Sequence, residues 1–223
     1  MENRQEHRTR QILRWVIDTF EGEWKLATAF GIEGMVLIDL LSKLTESPPV
    51  FTIDTGRLPQ ETYDLMERVR ARYGLELEVF YPQTAQLEEL VTLHGVNLFY
   101  ESIEKRETCC RVRKVEPLQR ALSGVQLWMS GLRRGQSNLR ARRRMFEHDQ
   151  ERRIKVYPLL DWTTEAVWEY ICRHDVPYNR LYDQGYTSVG CAPCSRPTQS
   201  RHDLREGRWW WENDSKKECG LHA

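Results

Sequence analysis

The alternation of apolar and polar positions divides most of the chain into helix and strand units. From Arg8 to Phe20 the apolar residues Ile12, Leu13, Val16 and Phe20 recur at helical spacing, which predicts a helix with one face against a core. Lys25 to Phe30 reads as a short strand, Gly31 as a tight turn and Gly34 to Leu44 as a helix. Pro49 to Thr55 predicts a second buried strand. Pro59 opens a helix that runs through Leu65 and Val69 to Gly74, since proline suits a first helical turn and glycine a helix end. Leu77 to Tyr81 supplies a third strand, Val115 to Leu122 a helix, Val125 to Ser130 a fourth strand and Ile154 to Tyr157 a fifth, ahead of a helix from Thr163 to Cys172.

Strands alternating with helices imply an α/β fold, a parallel sheet flanked by helices. Ligands of such sheets sit outside the carboxyl ends of the strands. The segments Phe30-Gly31-Ile32, Asp54-Thr55-Gly56-Arg57 and Ser130-Gly131-Leu132-Arg133 are therefore expected to share one crevice. After Pro177 the pattern decays into turns rich in Tyr, Gly, Pro and Ser, with no apolar period long enough for a second core. One domain over 1–223 is expected, an α/β core over about 25–176 with a lid and a mobile tail over 177–223.

Charge narrows the partners. Lys plus Arg number 33 and Asp plus Glu 33, so no net basic field is available to hold a nucleic acid. The longest apolar run, Met35 to Leu41, contains Asp39 and is too short to span a bilayer, and Met1 to Arg10 is charged rather than signal-like. A cytoplasmic protein without a membrane partner is expected. A homo-oligomer is left open.

Six cysteines in a reducing compartment do not suggest a disulfide frame, and five of them fall at Cys109-Cys110, Cys191-x-x-Cys194 and Cys219. The two pairs together could close a sulfur site of zinc or iron–sulfur type. Adjacent cysteines curl awkwardly around one zinc ion, whereas irons separated in space accept them more readily, yet the thiolate set alone leaves both metals open. Cys219 stands apart, three residues before His222 and near the end of the sequence. A thiol on a tail can reach into a pocket, attack and then meet a second partner. Lys216, Lys217 and His222 favour its thiolate, and Glu218 opposes it. Cys172, beside Val167, Trp168 and Ile171, reads as a small buried residue.

Three separated segments, Cys109 to Leu118 (CCRVRKVEPL), Gly190-Cys191-Ala192-Pro193-Cys194 and Glu218-Cys219-Gly220-Leu221-His222, resemble the signatures of the adenylyl-sulfate (APS) reductases. The likeness extends to Ile53-Asp54-Thr55-Gly56-Arg57-Leu58, Ser130 to Arg134, Tyr178 to Gly185 and Gly207 to Glu212. The resemblance implies an adenine nucleotide alpha hydrolase-like fold with a nucleotide-binding core. It also implies a 4Fe-4S cluster on Cys109, Cys110, Cys191 and Cys194, and thioredoxin or glutaredoxin as reductant. Related 3′-phosphoadenylyl-sulfate (PAPS) reductases generally lack the four ligand cysteines, so their presence favours APS. Ala29 and Gly34 depart from the family pattern, which usually has serine and an acidic residue there.

Within that resemblance Cys219 is the expected nucleophile, carrying an S-sulfonate after AMP leaves, with His222 positioning or polarising the tail. Lys114, Arg133, Arg205 and Arg208 are expected to meet sulfate or phosphate oxygens, Gly31 to let the backbone approach the nucleotide, and Asp54 to belong to the same crevice. Arg134, Arg140 and Arg142 to Arg144 read as solvated surface, and Trp209 to Trp211 as hydrophobic anchors for the tail. Alternatives are a PAPS or dual APS/PAPS reductase and, more remotely, an iron–sulfur or zinc nucleotide-binding redox sensor. An ATP-using enzyme of the same fold should carry a Ser-Gly-Gly-x-Asp-Ser loop, and Phe30-Gly31-Ile32-Glu33-Gly34-Met35 does not fit it.

Overall fold

A computed structural model describes residues 4–198, 203–212 and 218. Its centre is a six-stranded sheet in the order β3-β2-β1-β4-β6-β5, formed by β1 (Trp24–Thr28), β2 (Val50–Ile53), β3 (Glu78–Phe80), β4 (Leu127–Ser130), β5 (Phe146–His148) and β6 (Ile154–Val156). The five strands read from the sequence pair in parallel. The sixth, β5, runs antiparallel along one edge. Three residues with only one strand neighbour need no apolar run, so β5 left no periodic signal.

Helices α1 (Arg4–Phe20), α2 (Ile32–Ser42), α3 (Gln60–Tyr73), α6 (Glu116–Ala121) and α7 (Thr164–His174) match the predicted helical segments. In α2 every residue from Ile32 to Leu41 is buried, as expected of a helix apolar on all sides. The one carboxylate in its apolar run, Asp39, is only 2% exposed and accepts hydrogen bonds from Tyr73 (3.0 Å), Tyr170 (2.6 Å) and Lys43 (2.6 Å). A buried carboxylate persists where its oxygens are satisfied in this way. Gly74 ends α3 at φ 62, the left-handed position that glycine adopts without cost.

Two helices escaped the sequence pattern. In α4 (Thr84–His94) only Leu90 is buried, so no apolar stripe forms. The other, α5 (Ile103–Cys110), is short and polar, is capped by Ser102 Oγ, and buries Arg106, Cys109 and Cys110. It runs straight into a π-helical turn, Arg111–Val115; such turns concentrate at functional sites. Cys172 is exposed rather than buried. The buried stripe of α7 runs through Val167, Tyr170 and Ile171, and a residue one position past Ile171 turns about 100° away from it.

Lys155 on β6 is 2% exposed, its ammonium 4.6 Å from the Trp128 ring and 5.7 Å from the Tyr157 ring. Burial first, then Arg143 and Arg140, against Glu147 and Asp149, brings its pKa from 10.5 down to about 8. The unfolded chain then holds this proton more tightly than the folded one. The penalty is full below pH 8 and is relieved as pH rises toward the unfolded value. Partly buried tyrosines such as Tyr63, raised to about 12 by desolvation and then by Asp54, act in the opposite sense only above their ordinary pKa. Denaturant unfolding at fixed ionic strength should show stability rising between pH 8 and 10, and Lys155→Met should flatten that rise.

Candidate active site

The loops after β1, β2 and β4 meet at one pocket, whose wall includes Thr28, Gly31, Glu33, Thr55, Ser130, Gly131, Lys114, Arg140, Tyr182, Cys191, Arg205 and Arg208. The strand order reverses direction between β1 and β4, and that switch point is where parallel sheets bind ligands. The first turn of α2 presents its backbone N–H groups there, with the Ile32 amide donating to Tyr182 Oη at 3.4 Å. A helix start of this kind favours anionic oxygens.

The tight β1–α2 turn differs from expectation in detail. Phe30, not Gly31, takes the left-handed backbone (φ 55), and its amide donates to Thr28 Oγ1 at 3.0 Å. Gly31 has φ −71, and a Cβ there would meet Tyr182 Oη at an ordinary 3.4 Å. A glycine that the packing does require is Gly131, where a Cβ would stand 2.6 Å from Glu33 Cβ and 3.0 Å from Glu33 C and Gly34 N. Backbone atoms cannot swing aside as a side-chain end can. Gly131→Ala should therefore cost about 1–3 kcal/mol by overpacking, and Gly31→Ala less than about 1 kcal/mol. Paired urea titrations would measure the difference.

Two predicted binding residues do not line this pocket. Asp54 Oδ1 accepts from the Gly56 amide (2.7 Å) and Tyr63 Oη (3.0 Å), which fixes the β2 loop, and Asp54 is absent from the pocket wall. Arg133 is 2% exposed and donates to Glu33 (2.8 Å), Trp162 O (3.3 Å) and Thr164 Oγ1 (3.2 Å). It holds Glu33 against the pocket floor, with help from Gln136 at 3.0 Å, and does not line the pocket itself. Lys114, Arg205 and Arg208 do line it, as does Gly31.

Arg140, read as solvated surface, is a correction. It is 8% exposed, lines the pocket and forms a fork to both carboxylate oxygens of Glu218 at 2.8 and 3.0 Å. The partner lies 78 residues away, so an arginine-rich stretch gave no local sign of burial. Arg205 adds a bond to Glu218 at 3.2 Å, and Arg106 donates to the Glu218 carbonyl at 2.8 Å. Arg106 is itself buried and forked onto Glu212 at 2.9 and 3.1 Å. Cys219 and His222 lie outside the described residues.

The two cysteine pairs come together. Cys109, Cys110, Cys191 and Cys194 are all buried in one cluster with Leu90, Leu98, Phe99, Val112 and Trp209. The β2 loop ties both pairs: Thr55 Oγ1 is 3.3 Å from Cys191 Sγ, Thr55 O accepts from Arg113 at 2.6 Å, and Arg57 O accepts from the Ala192 amide at 2.8 Å. Thr55 and Arg113 were not singled out in the sequence; their roles rest on contacts between distant segments. Burial pushes the Cys109 thiol up, against Arg113 and Lys114. A hydrogen bond from Cys194 holds Cys191 well below the usual thiol range, with support from Lys114, Thr55 and Arg208 against burial, while Cys194 is raised. Arg208 donates to Cys194 O at 3.0 Å and packs so closely on Gly190 that a Cβ would fall 2.3 Å from its guanidinium. Trp209 is fully buried beneath the guanidinium groups of Arg106, Arg205 and Arg208, 4.8 to 5.5 Å from its ring, consistent with an anchor for the segment before the tail.

Comparison with known proteins agrees with this geometry. The phosphoadenosine phosphosulfate reductase domain family matches residues 23–197. An adenosine 5′-phosphosulfate reductase of Allochromatium vinosum is 47% identical over 197 residues, covering 88% of this chain and 77% of the relative. One of Burkholderia cepacia is 47% identical over 199 residues, 89% of this chain and 80% of its own. Among solved structures, the phosphoadenylyl-sulfate reductase of Candida auris aligns with a TM-score of 0.72 at 33% identity, over 83% of this chain and 88% of that one. An FMN adenylyltransferase of Candida glabrata, at 14% identity and a TM-score of 0.60 over 87% of this chain and 64% of that one, shares the fold alone. The chain belongs to the phosphoadenosine phosphosulfate reductase domain family, alongside its adenosine 5′-phosphosulfate reductases, and is an oxidoreductase acting on a sulfur group.

Proposed function

We propose that this protein reduces adenosine 5′-phosphosulfate to sulfite and AMP in sulfate assimilation, through a sulfonate carried on Cys219. The observation that carries the reading is the meeting of four buried cysteines with a strand-end pocket lined by Lys114, Arg205 and Arg208. The Cys219 thiolate attacks the sulfur of the substrate; a sulfur–sulfur bond forms, the sulfur–oxygen bond to AMP breaks, and AMP leaves with its electron pair. Lys114, Arg205 and Arg208 offset the negative charge of sulfate and phosphate that would otherwise repel a thiolate. A dithiol protein such as thioredoxin or glutaredoxin then attacks the Cys219 sulfur and expels sulfite with its electron pair. Its second thiol frees Cys219 from the mixed disulfide and takes the oxidised state away as its own disulfide. His222 polarises or positions the tail during this exchange.

Cys109, Cys110, Cys191 and Cys194 are the residues that would hold a 4Fe-4S cluster. Their burial together and the adjacency of Cys109 and Cys110 support this reading, since neighbouring thiolates reach irons separated in space more readily than they curl around one zinc. Bound there, the cluster would supply fixed charge to the region Lys114 lines, and Cys109 and Cys110 of α5 would share it with Cys191 and Cys194.

The substrate assignment is tested by sulfite release from cluster-intact protein with reduced thioredoxin, comparing this nucleotide with its 3′-phosphorylated form. Faster release from the unphosphorylated nucleotide supports the reading. Faster release from the 3′-phosphorylated form would replace it with a PAPS reductase.

A further inference from the structure

We infer that Glu218, seated by Arg106, Arg140 and Arg205, is a positioning residue for the nucleophile that follows it in the sequence. The inference rests on the assignment of Cys219 as nucleophile and adds to it the device that places the tail.

Three guanidinium groups from three separate segments converge on this one residue. Arg140 grips both carboxylate oxygens at 2.8 and 3.0 Å, and Arg205 adds a bond at 3.2 Å. Arg106 takes the main-chain carbonyl at 2.8 Å. Side chain and backbone are thus fixed together, which a surface ion pair does not achieve. Each arginine is itself buried, at 2, 8 and 8% exposure for Arg106, Arg140 and Arg205, and Arg106 is locked in place by Glu212. Bidentate arginine–carboxylate bonds in such surroundings are directional and strong. Arg140 and Arg205, which hold Glu218, are both on the pocket wall, and consecutive Cα atoms are only about 3.8 Å apart, so the anchor is one residue from the proposed nucleophile. A glutamate beside a nucleophilic thiol works against the thiolate electrostatically; here its charge is held by two arginines, and burial is outweighed so that its pKa is lowered.

The test is the alkylation rate of Cys219 by iodoacetamide in the cluster-intact, substrate-free protein, read on the tail peptide by mass spectrometry, in wild type, Glu218→Gln and Arg140→Met. Release of the tail should speed alkylation several-fold in both variants. Charge alone predicts opposite effects: loss of Glu218 would favour the thiolate, and loss of Arg140 would disfavour it. An unchanged or slower rate in Arg140→Met overturns the inference. Single-turnover assays should show the sulfonation rate falling at least tenfold in Glu218→Gln with nucleotide affinity within about twofold of wild type; a loss of affinity alone would also overturn it. The alkylation readout needs no turnover, so its failure is distinct from a failure of Cys219 as nucleophile, which would appear as activity retained in Cys219→Ser.

Discussion

Cys219→Ser should abolish sulfite release, lowering turnover by at least about four orders of magnitude, the scale seen when a covalent nucleophile is removed. A serine hydroxyl is almost wholly protonated at neutral pH and is a far weaker nucleophile toward sulfur. An alkyl sulfate formed on it would also offer the dithiol no sulfur–sulfur bond to exchange. The loss should fall on turnover with little change in nucleotide affinity, because the groups proposed to hold the anion are Lys114, Arg205 and Arg208. Iron content and thermal unfolding should remain those of the wild type, since the four buried cysteines are untouched. Anaerobic steady-state assays with equilibrium nucleotide binding check all three expectations.

The second large effect is on stability. Arg106→Ala should lower the free energy of unfolding by about 3–5 kcal/mol, the cost of stranding one member of a buried ion pair. That is a large fraction of the roughly 5–15 kcal/mol that holds a domain together. Glu212, with 3% side-chain exposure, would be left without the fork that compensates its burial. Trp209 would lose the guanidinium 4.9 Å from its ring, and Glu218 its main-chain anchor. The double change Arg106→Met with Glu212→Leu removes both charges and should recover most of the loss. Anaerobic denaturant titration of the single and double variants measures the two terms.

What the sequence reveals and what it hides follow from the range of the interactions. Parallel strands buried on both faces write themselves as short apolar runs, so β1, β2, β4 and β6 were legible, and their carboxyl ends located the pocket. The antiparallel edge strand β5 and the helices α4 and α5 were not, because three edge residues of which two are exposed, a nearly unburied helix and a polar helix fixed by cysteines leave no period. The cysteine pairs were legible as chemistry, yet only folding brings residues 82 positions apart into one cluster. Arginine roles were the least legible. Arg133 was expected to bind substrate, and its bond to buried Glu33 had no sign in the sequence; Arg140 was expected on the surface and is buried against Glu218. An arginine reads alike in sequence whether its partner is water, a carboxylate or a ligand. The partner lies 100 residues away for Arg133 and 78 for Arg140. Asp54 shows the same limit at short range, since a strand-end carboxylate that caps its own turn looks identical to one that faces a ligand.

The central claim is that Cys219 takes the sulfonate from adenosine 5′-phosphosulfate, and mass analysis of the cluster-intact protein after incubation with that nucleotide and no reductant tests it most directly. The account predicts one sulfonate on the peptide containing Cys219, AMP released in equal amount, and loss of the adduct as sulfite when reduced thioredoxin is added. An unmodified Cys219 in a preparation that then turns over on adding thioredoxin would contradict it.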